Sequence, residues 1–388
     1  MRLLHLLVHA LVRWLDFLAL TTLLGGLVFR HLVVRTAPTS PHLFRRFDDN
    51  LRRVLGAAIL VLAVSSVADL ILRARAMAGG GLADLGTLLP LVLRQTHYGT
   101  VWIARMSAIA LLGAGWVLAV PGRTPTARSI GASFLWGLVI ALTTTLSGHA
   151  ADWGDLTLPV LVDWLHLLAT STWIGGLFTL GFVLHAAVQS AGTGETPHGL
   201  ASAASRFSRI AGWSVAFFIA TGLYNAWLHV ASPSPLLTTP YGWTLTAKLS
   251  LLLLALLLAS LNRYYLLPLL GDHPAKPARR LLSALGRLAD ARRIGRGRWG
   301  EEKIRARFFG AVRLEWVVAV GMLACSALLT QLPPARHIRR HEHREQHAAH
   351  RPALVESAAR PAGSDRETFS LTSSAGPGSV SSSPRLER

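Results

Sequence analysis

The sequence predicts an all-α fold, a polytopic membrane helical bundle of about eight transmembrane helices in two parallel four-helix repeats. Three observations carry that prediction. The hydrophobic fraction is 51% against 15% charged, and the apolar residues come in blocks that cross about 30 Å of hydrocarbon, which needs roughly 20 helical residues each. Basic residues gather in alternate loops. A common set of residues recurs in the two halves of the chain.

Taken in order, the apolar blocks place spans near residues 14–34, 52–72, 99–120, 130–148, 160–185, 209–230, 243–267 and 312–332. Each should be a helix, because in lipid every backbone polar group must be bonded within its own segment. The N-terminal stretch, with His5, His9, Arg13 and Asp16 among its apolar residues, lacks a short core followed by a small-residue cleavage site. It reads as an extended first helix retained in the mature protein. Lys and Arg number six from Arg30 to Arg53, two in 121–130, two in 186–209 and twelve in 268–313, but three in 73–100 and none in 148–160 or 231–242. The positive-inside rule therefore puts the basic loops in the cytoplasm and both termini on the outer side. The net charge of +19 is thus a topology signal and gives no reason to expect nucleic acid. The lone cysteine, Cys325, sits in an apolar run, which excludes a disulfide framework and a CxxC thiolate site.

The internal repeat runs from Trp14-Leu15-Asp16 to Gly25-Gly26-Leu27 and, at a constant offset, from Trp164-Leu165-His166 to Gly175-Gly176-Leu177. Further on, Thr96-His97-Tyr98-Gly99 with Arg105 matches Thr239-Pro240-Tyr241-Gly242 with Lys248, and Ser65, Asp69 and Arg73 fall opposite Thr221, Asn225 and His229. Four spans per repeat is an even number, so both halves enter the membrane in the same direction, about a pseudo-two-fold along the membrane normal. The expected organisation is a first membrane repeat over 1–150, a second over 151–335 with a basic cytoplasmic loop at 271–311, and a disordered His/Arg/Ser-rich tail over 336–388. The basic loop would bind anionic lipid headgroups.

The halves differ where chemistry is expected: Asp16 becomes His166, Asp69 becomes Asn225 and Arg105 becomes Lys248. Ionisable groups within spans are costly and mark function by default. Asp163, His166 and Thr170 share one helical face, as do Thr221, Asn225 and His229. Topology gathers His5, His9, His97, His149, His166 and His229 at one membrane level, with Asp152, Asp155 and Asp163. Imidazole suits late first-row divalent metals, copper above all, so the candidate metal ligands are His149, His166 and His97. Asp163 would orient His166 from behind, and Asp16, Asn225, Lys248 and Arg105 would act as supporting or pathway groups or as buried ion pairs. The tail's His337, His341, His343, His347 and His350 repeat the metal theme. No P-loop, no intramembrane Cys-Pro-Cys and no HExxH helix occurs, which argues against an ATP-driven pump or a zinc protease. With only four methionines, a Met-lined Cu(I) pathway is not expected.

Five motifs in order carry a resemblance: SGHA, DWLHLLATSTWIGGL, RFSRIAGWSVAFFIATGLYNAW, the run LLTTPYGWTLTAKLSLLLLALLLASLNRYYLLPLL, and a last span from RLEW to QLPPAR. The chain resembles the CopD (PcoD-like) copper-resistance membrane proteins, most strongly over 145–335. The resemblance implies an inner-membrane protein, not an enzyme, that moves copper towards the cytoplasm and works with a CopC-like periplasmic copper-binding partner. Carried over by position, the family's histidines are His149 and His166, and its YG…K element is Tyr241-Gly242 and Lys248. Within these 388 residues there is no fused CopC-like β-domain, and the His-rich tail is an addition. Two alternatives stand beside copper transport: a haem-binding membrane redox protein with paired intramembrane histidines as axial ligands, and a metal sensor or scaffold that transports nothing.

Overall fold

The computed structural model of the protein describes residues 2–34, 41–77, 85–118, 127–191, 197–229, 238–270 and 300–332. The expected basic loop up to residue 299, the tail and its histidines lie outside the described residues. The helices are α1 (Arg2–Val28), α2 (Pro41–Met77), α3 (Leu85–Gln95), α4 (His97–Leu118), α5 (Ala127–Leu146), α6 (Leu158–Phe178), α7 (His185–Ala191), α8 (Pro197–His229), α9 (Pro240–Leu261), α10 (Leu267–Leu270) and α11 (Glu301–Leu329). Three π-helical stretches prolong them: Phe29–Val34 after α1, Thr179–Leu184 joining α6 to α7, and Asn262–Leu266 joining α9 to α10.

Seven of these helical segments are long and apolar enough to cross a membrane, so the protein is a multi-pass helical bundle. Each of the eight expected spans falls on a helix, and one differs from the rest. The sixth span is present as α8, but Trp213, Ser214, Thr221, Tyr224 and Asn225 lower its mean hydropathy, so length and composition alone do not mark it. The helices also outrun the apolar blocks. Helix α2 starts at Pro41 and carries Arg45, Arg46, Asp48 and Asp49 ahead of its apolar part, since polar turns continue a helix wherever water or headgroups solvate their side chains. The short α3, with Pro90 inside it, was not foreseen, because it falls in a stretch with no long apolar run.

Helix termini follow local chemistry. Thr239 caps α9 by accepting a hydrogen bond from the Gly242 amide at 3.0 Å, with Pro240 at the first helical position, where its missing N–H costs nothing. Thr96 caps α4 in the same way, accepting from the Gly99 amide at 3.0 Å. Between α5 and α6 a 3₁₀ turn, His149–Trp153, ends at Gly154, whose φ of 106° favours glycine.

The core is built around α1 and α6, the most enclosed of the spans. They meet through a small-xxx-small face on each: Thr21 and Gly25 on α1, Ser171 and Gly175 on α6. A methyl built on Gly175 would collide with the carbonyl oxygen of Thr21 and come within 2.9 Å of the Gly25 Cα; one built on Gly25 would collide with the Ser171 carbonyl oxygen. The contact is reciprocal, each glycine pressing on the small residue one turn earlier in the other helix. Two indoles brace it: Trp14 Nε1 donates to the Val320 carbonyl on α11 and Trp164 Nε1 to the Leu138 carbonyl on α5, both at 3.2 Å. Helices α2, α4, α8, α9 and α11 pack around this centre and turn apolar side chains such as Leu60, Val64, Phe217, Leu253 and Leu257 outward, towards lipid.

Substituting Gly175 by Leu should therefore abolish the folded protein or lower its stability by about 3 kcal/mol or more, because backbone cannot move aside. Gly26→Ala should cost under about 1 kcal/mol, since its added methyl meets only the Leu51 and Leu55 side-chain ends at 3.1 Å. Thermal unfolding in detergent, followed by size-exclusion chromatography, measures both.

Candidate functional site

Corresponding polar residues of the two halves form two clusters with opposite packing. In the first, Asp16 and Arg105 make a buried ion pair at 2.6 Å, with both side chains 6% exposed. Ser65 Oγ donates to Asp16 Oδ1 at 2.9 Å, Arg105 Nε donates to Ser66 Oγ at 2.8 Å, and Arg105 also donates to Thr144 Oγ1. Arg13 donates to the Thr144 carbonyl at 3.1 Å, and Tyr98 donates to Asp69 at 2.7 Å, with Arg73 on the same carboxylate. The space left among these groups is about 10 Å³, at the lower limit for one water. The cluster is filled, and each of its carboxylates is paired with an arginine, Asp16 with Arg105 and Asp69 with Arg73.

The second cluster is open. His166, Asp163, Asn225, Tyr241 and Lys248 line a cavity of about 210 Å³, together with Met322, which is room for several waters. The cavity lies near the end of the bundle where α5, α8 and α11 finish and α6 and α9 begin. Asn225 Nδ2 donates to Asp163 Oδ1 at 3.2 Å. Lys248 forms no ion pair or hydrogen bond with any described residue; its ammonium lies 5.8 Å from the Phe218 ring centroid. The His166 ring stacks on the same Phe218 at 4.4 Å.

The hydrogen bonds of Thr221 fix the His166 tautomer. Thr221 Oγ1 has one hydrogen and directs it to the Phe217 carbonyl at 2.6 Å, so towards His166 Nδ1, 3.0 Å away, it can only accept. Nδ1 therefore carries the imidazole hydrogen. Nε2 keeps its lone pair and has no partner among the described residues, as a metal-binding imidazole requires.

The expected ligands are only partly brought together. His166 is in the cavity. The backbone on both sides of His149 reaches it, through Gly148 and Ala150, while the His149 side chain lies outside the described residues, as does that of His229. His97 stands at the surface, its Nε2 2.9 Å from an Asp155 carboxylate oxygen, with both side chains about half exposed. The His5 and His9 rings lie 4.7 Å apart, tilted by 33° to each other. No group of three or more His, Cys, Asp or Glu side chains placed to hold a metal occurs among the described residues. Asp163, Asn225 and Lys248 share the His166 cavity, whereas Asp16 and Arg105 neutralise each other in the other cluster. Composition drew attention away from Met322, yet its helix places it on the cavity wall. Arg13, which corresponds to Asp163 in the repeat, also reaches that wall; its place in the repeat was the available signal.

Comparison with known proteins gives a consistent picture. Residues 201–329 match the family described as copper resistance protein D, and residues 4–158 match the copper resistance protein D-like N-terminal domain. The chain is 33% identical over 224 residues to Copper resistance protein D of Pseudomonas syringae pv. tomato, covering 56% of this chain and 70% of the relative. It is 27% identical over 292 residues to Copper transport protein CutJ of Bacillus subtilis (strain 168), covering 73% of this chain but only 46% of that longer protein. It is 26% identical over 248 residues to Inner membrane protein YebZ of Escherichia coli (strain K12), covering 62% and 70%. No solved structure matches the chain significantly.

The two clusters should respond differently to charge removal. Asp16→Ala leaves Arg105 buried without its partner and should cost about 3–5 kcal/mol. Lys248→Met removes a group that makes no ion pair or hydrogen bond among the described residues from a roomy cavity, and should cost clearly less than Asp16→Ala, about 1 kcal/mol. Thermal melts of the two purified variants against wild type make the comparison.

Proposed function

The chain belongs to the copper resistance protein D family, and from that premise we propose that it moves copper through the membrane, taking the ion in the His166 cavity without ATP. The observation that carries this reading is the free Nε2 of His166 in a cavity large enough for a hydrated ion. That cavity is absent from the corresponding place in the first half. Asp163 and Met322 line the same cavity as the imidazole, so nitrogen, oxygen and sulfur donors border one space and together suit copper, the sulfur favouring Cu(I).

The same geometry favours passage over storage. One imidazole, one carboxylate and one thioether make a sparse ligand set, and the Lys248 ammonium in the same cavity repels an arriving cation. Conduction needs binding favourable enough to enter and weak enough to leave. His149, whose neighbours Gly148 and Ala150 border the cavity, completes the ligand set in this reading. His97, paired with Asp155 at the surface of the same end, meets copper first. A periplasmic copper-binding protein of the CopC kind would deliver the ion there, the basic loops facing the cytoplasm and both termini the periplasm. In the inner membrane this direction is inward, and the two halves are one duplicated unit whose first copy became structural.

Copper bound to purified protein, measured by metal analysis after equilibrium dialysis, should lose roughly tenfold or more in affinity in His166→Ala, and further in His149→Ala with His166→Ala. His97→Ala should leave the affinity close to wild type and slow uptake into proteoliposomes. Unchanged affinity in the double variant would overturn the site. Absence of copper movement in wild-type proteoliposomes supplied with a copper-binding donor would overturn transport.

A further inference from the structure

The second half holds another cavity, of about 170 Å³, in series with the first along the same helices. Where the His166 cavity touches the ends of α8 and α11 and the start of α9, this one touches the first halves of α8 and α11 and the end of α9 with its π-helical turn. It therefore lies nearer the opposite membrane face. In its wall is Glu315, 3% exposed and about 20 Å of helix beyond Glu301, within an apolar span.

The polar groups here do not balance. Glu315 Oε1 accepts from Trp173 Nε1 at 3.2 Å and Oε2 accepts from Asn262 Nδ2 at 2.8 Å. Asn262 is 7% exposed, and its Oδ1 is buried with no hydrogen-bond partner. Three oxygens thus share two donors, and one more hydrogen would complete the set. The charges are also unmatched. Arg263 lines the cavity but donates to the Ser208 carbonyl at 2.9 Å and lies over Tyr264. Arg313, on the same helix as Glu315, donates to the Gly181 carbonyl at 2.9 Å. No described cation lies within ion-pair distance of Glu315, and the residues that α6 and α8 contribute to this wall include no ionisable side chain.

A contact chain links this carboxyl to the copper cavity. His166 stacks on Phe218, Phe218 meets Trp173 edge-on at 5.8 Å, and Trp173 donates to Glu315. His166 and Trp173 are seven positions apart on α6, about 10 Å.

We propose that Glu315 with Asn262 is a proton-binding site, loaded from the second cavity, which gives up its proton when copper occupies the His166 cavity. The role assigned to copper rests on the function proposed above. In the loaded state the neutral acid donates its O–H to Asn262 Oδ1, the amide being turned so that this oxygen faces the carboxyl. On release the O–H bond breaks, the proton passes to water in the second cavity, and the electron pair stays on the carboxylate. Asn262 then turns its Nδ2–H to that carboxylate, the arrangement in the structure. The neutral amide serves both states, and the copper charge is offset by the proton that leaves.

Infrared difference spectra of the full-length protein in lipid nanodiscs test this directly. Wild type should show a protonated-carboxyl C=O band that titrates with pH, is absent from Glu315→Gln, and loses most of its intensity when Cu(I) is added. Asn262→Leu, with no amide to accept, should shift or weaken the same band while the protein remains monodisperse. A Glu315 band missing at every pH, as a metal-occupied or permanently ionised carboxylate would give, overturns the proposal. So does a band that copper leaves unchanged in protein shown by metal analysis to have bound it. Glu315→Gln, fixed in the uncharged form, should bind Cu(I) several-fold more weakly than wild type, by the same factor by which copper lowers the wild-type band. The band reports on Glu315 whether or not copper crosses the membrane, so failure of transport in proteoliposomes is read separately.

Discussion

The architecture depends on how closely α1 and α6 can approach. Between transmembrane helices there is little hydrophobic force, because lipid tails are as apolar as leucine; what remains is packing and hydrogen bonding. Gly25 and Gly175 remove the side chains that would hold the two helices apart, and the carbonyl oxygens of Thr21 and Ser171 fill the space gained. With that crossing fixed, Trp14 and Trp164 each reach a helix of the opposite half, and the remaining helices line up around the pair. Both polar clusters hang from this centre: Asp16 and Arg13 from α1, His166 and Asp163 from α6. A change in the crossing would move both.

The contrast between the clusters shows how one scaffold holds a closely packed polar site and an open one. Asp16, Ser65 and Arg105 close on one another, so the first half pairs this carboxylate and this guanidinium directly. In the second half His166, Thr221 and Lys248 occupy the corresponding places, and the pairing is lost. Imidazole does not pair with Lys248 as Asp16 does with Arg105; the nearest carboxylate in the cavity is that of Asp163, with which Lys248 forms no direct ion pair, and space is left between these groups. A histidine stands in the open cavity where the first half has the carboxylate of a packed ion pair.

Much of this was legible in the sequence. Apolar blocks gave the bundle, and the spacing of Asp163, His166 and Thr170 put them on one face, where the cavity is. The offset between Trp14 and Trp164 pointed to the α1–α6 pair, and the TxYG pattern to two helix starts whose threonine caps have the same geometry. What stayed hidden depended on three-dimensional register. His97 looked like a companion of His166, but Asp155, brought close by the 3₁₀ turn and Gly154, takes up its imidazole instead. Met322 was discounted by number, though a ligand matters by position. Glu315 stood at the edge of the expected last span and was not singled out; because α11 begins at Glu301, it lies well along the helix. The π-helical turn that carries Asn262 to it has no simple sequence signature.

The thin partition of Phe218 and Trp173 has an electrical consequence. With water in both cavities, each of which has room for it, the membrane voltage does not fall evenly across some 30 Å of hydrocarbon. It falls mainly over the layer between them, where His166 and Trp173 stand about 10 Å apart along α6. An ion that crosses this partition passes through nearly the whole potential, about 2.3 kcal/mol per charge for each 100 mV. Two rings shifting by a side chain's width would therefore gate most of the electrical work, and helices α1 and α6 could remain locked together while they did so.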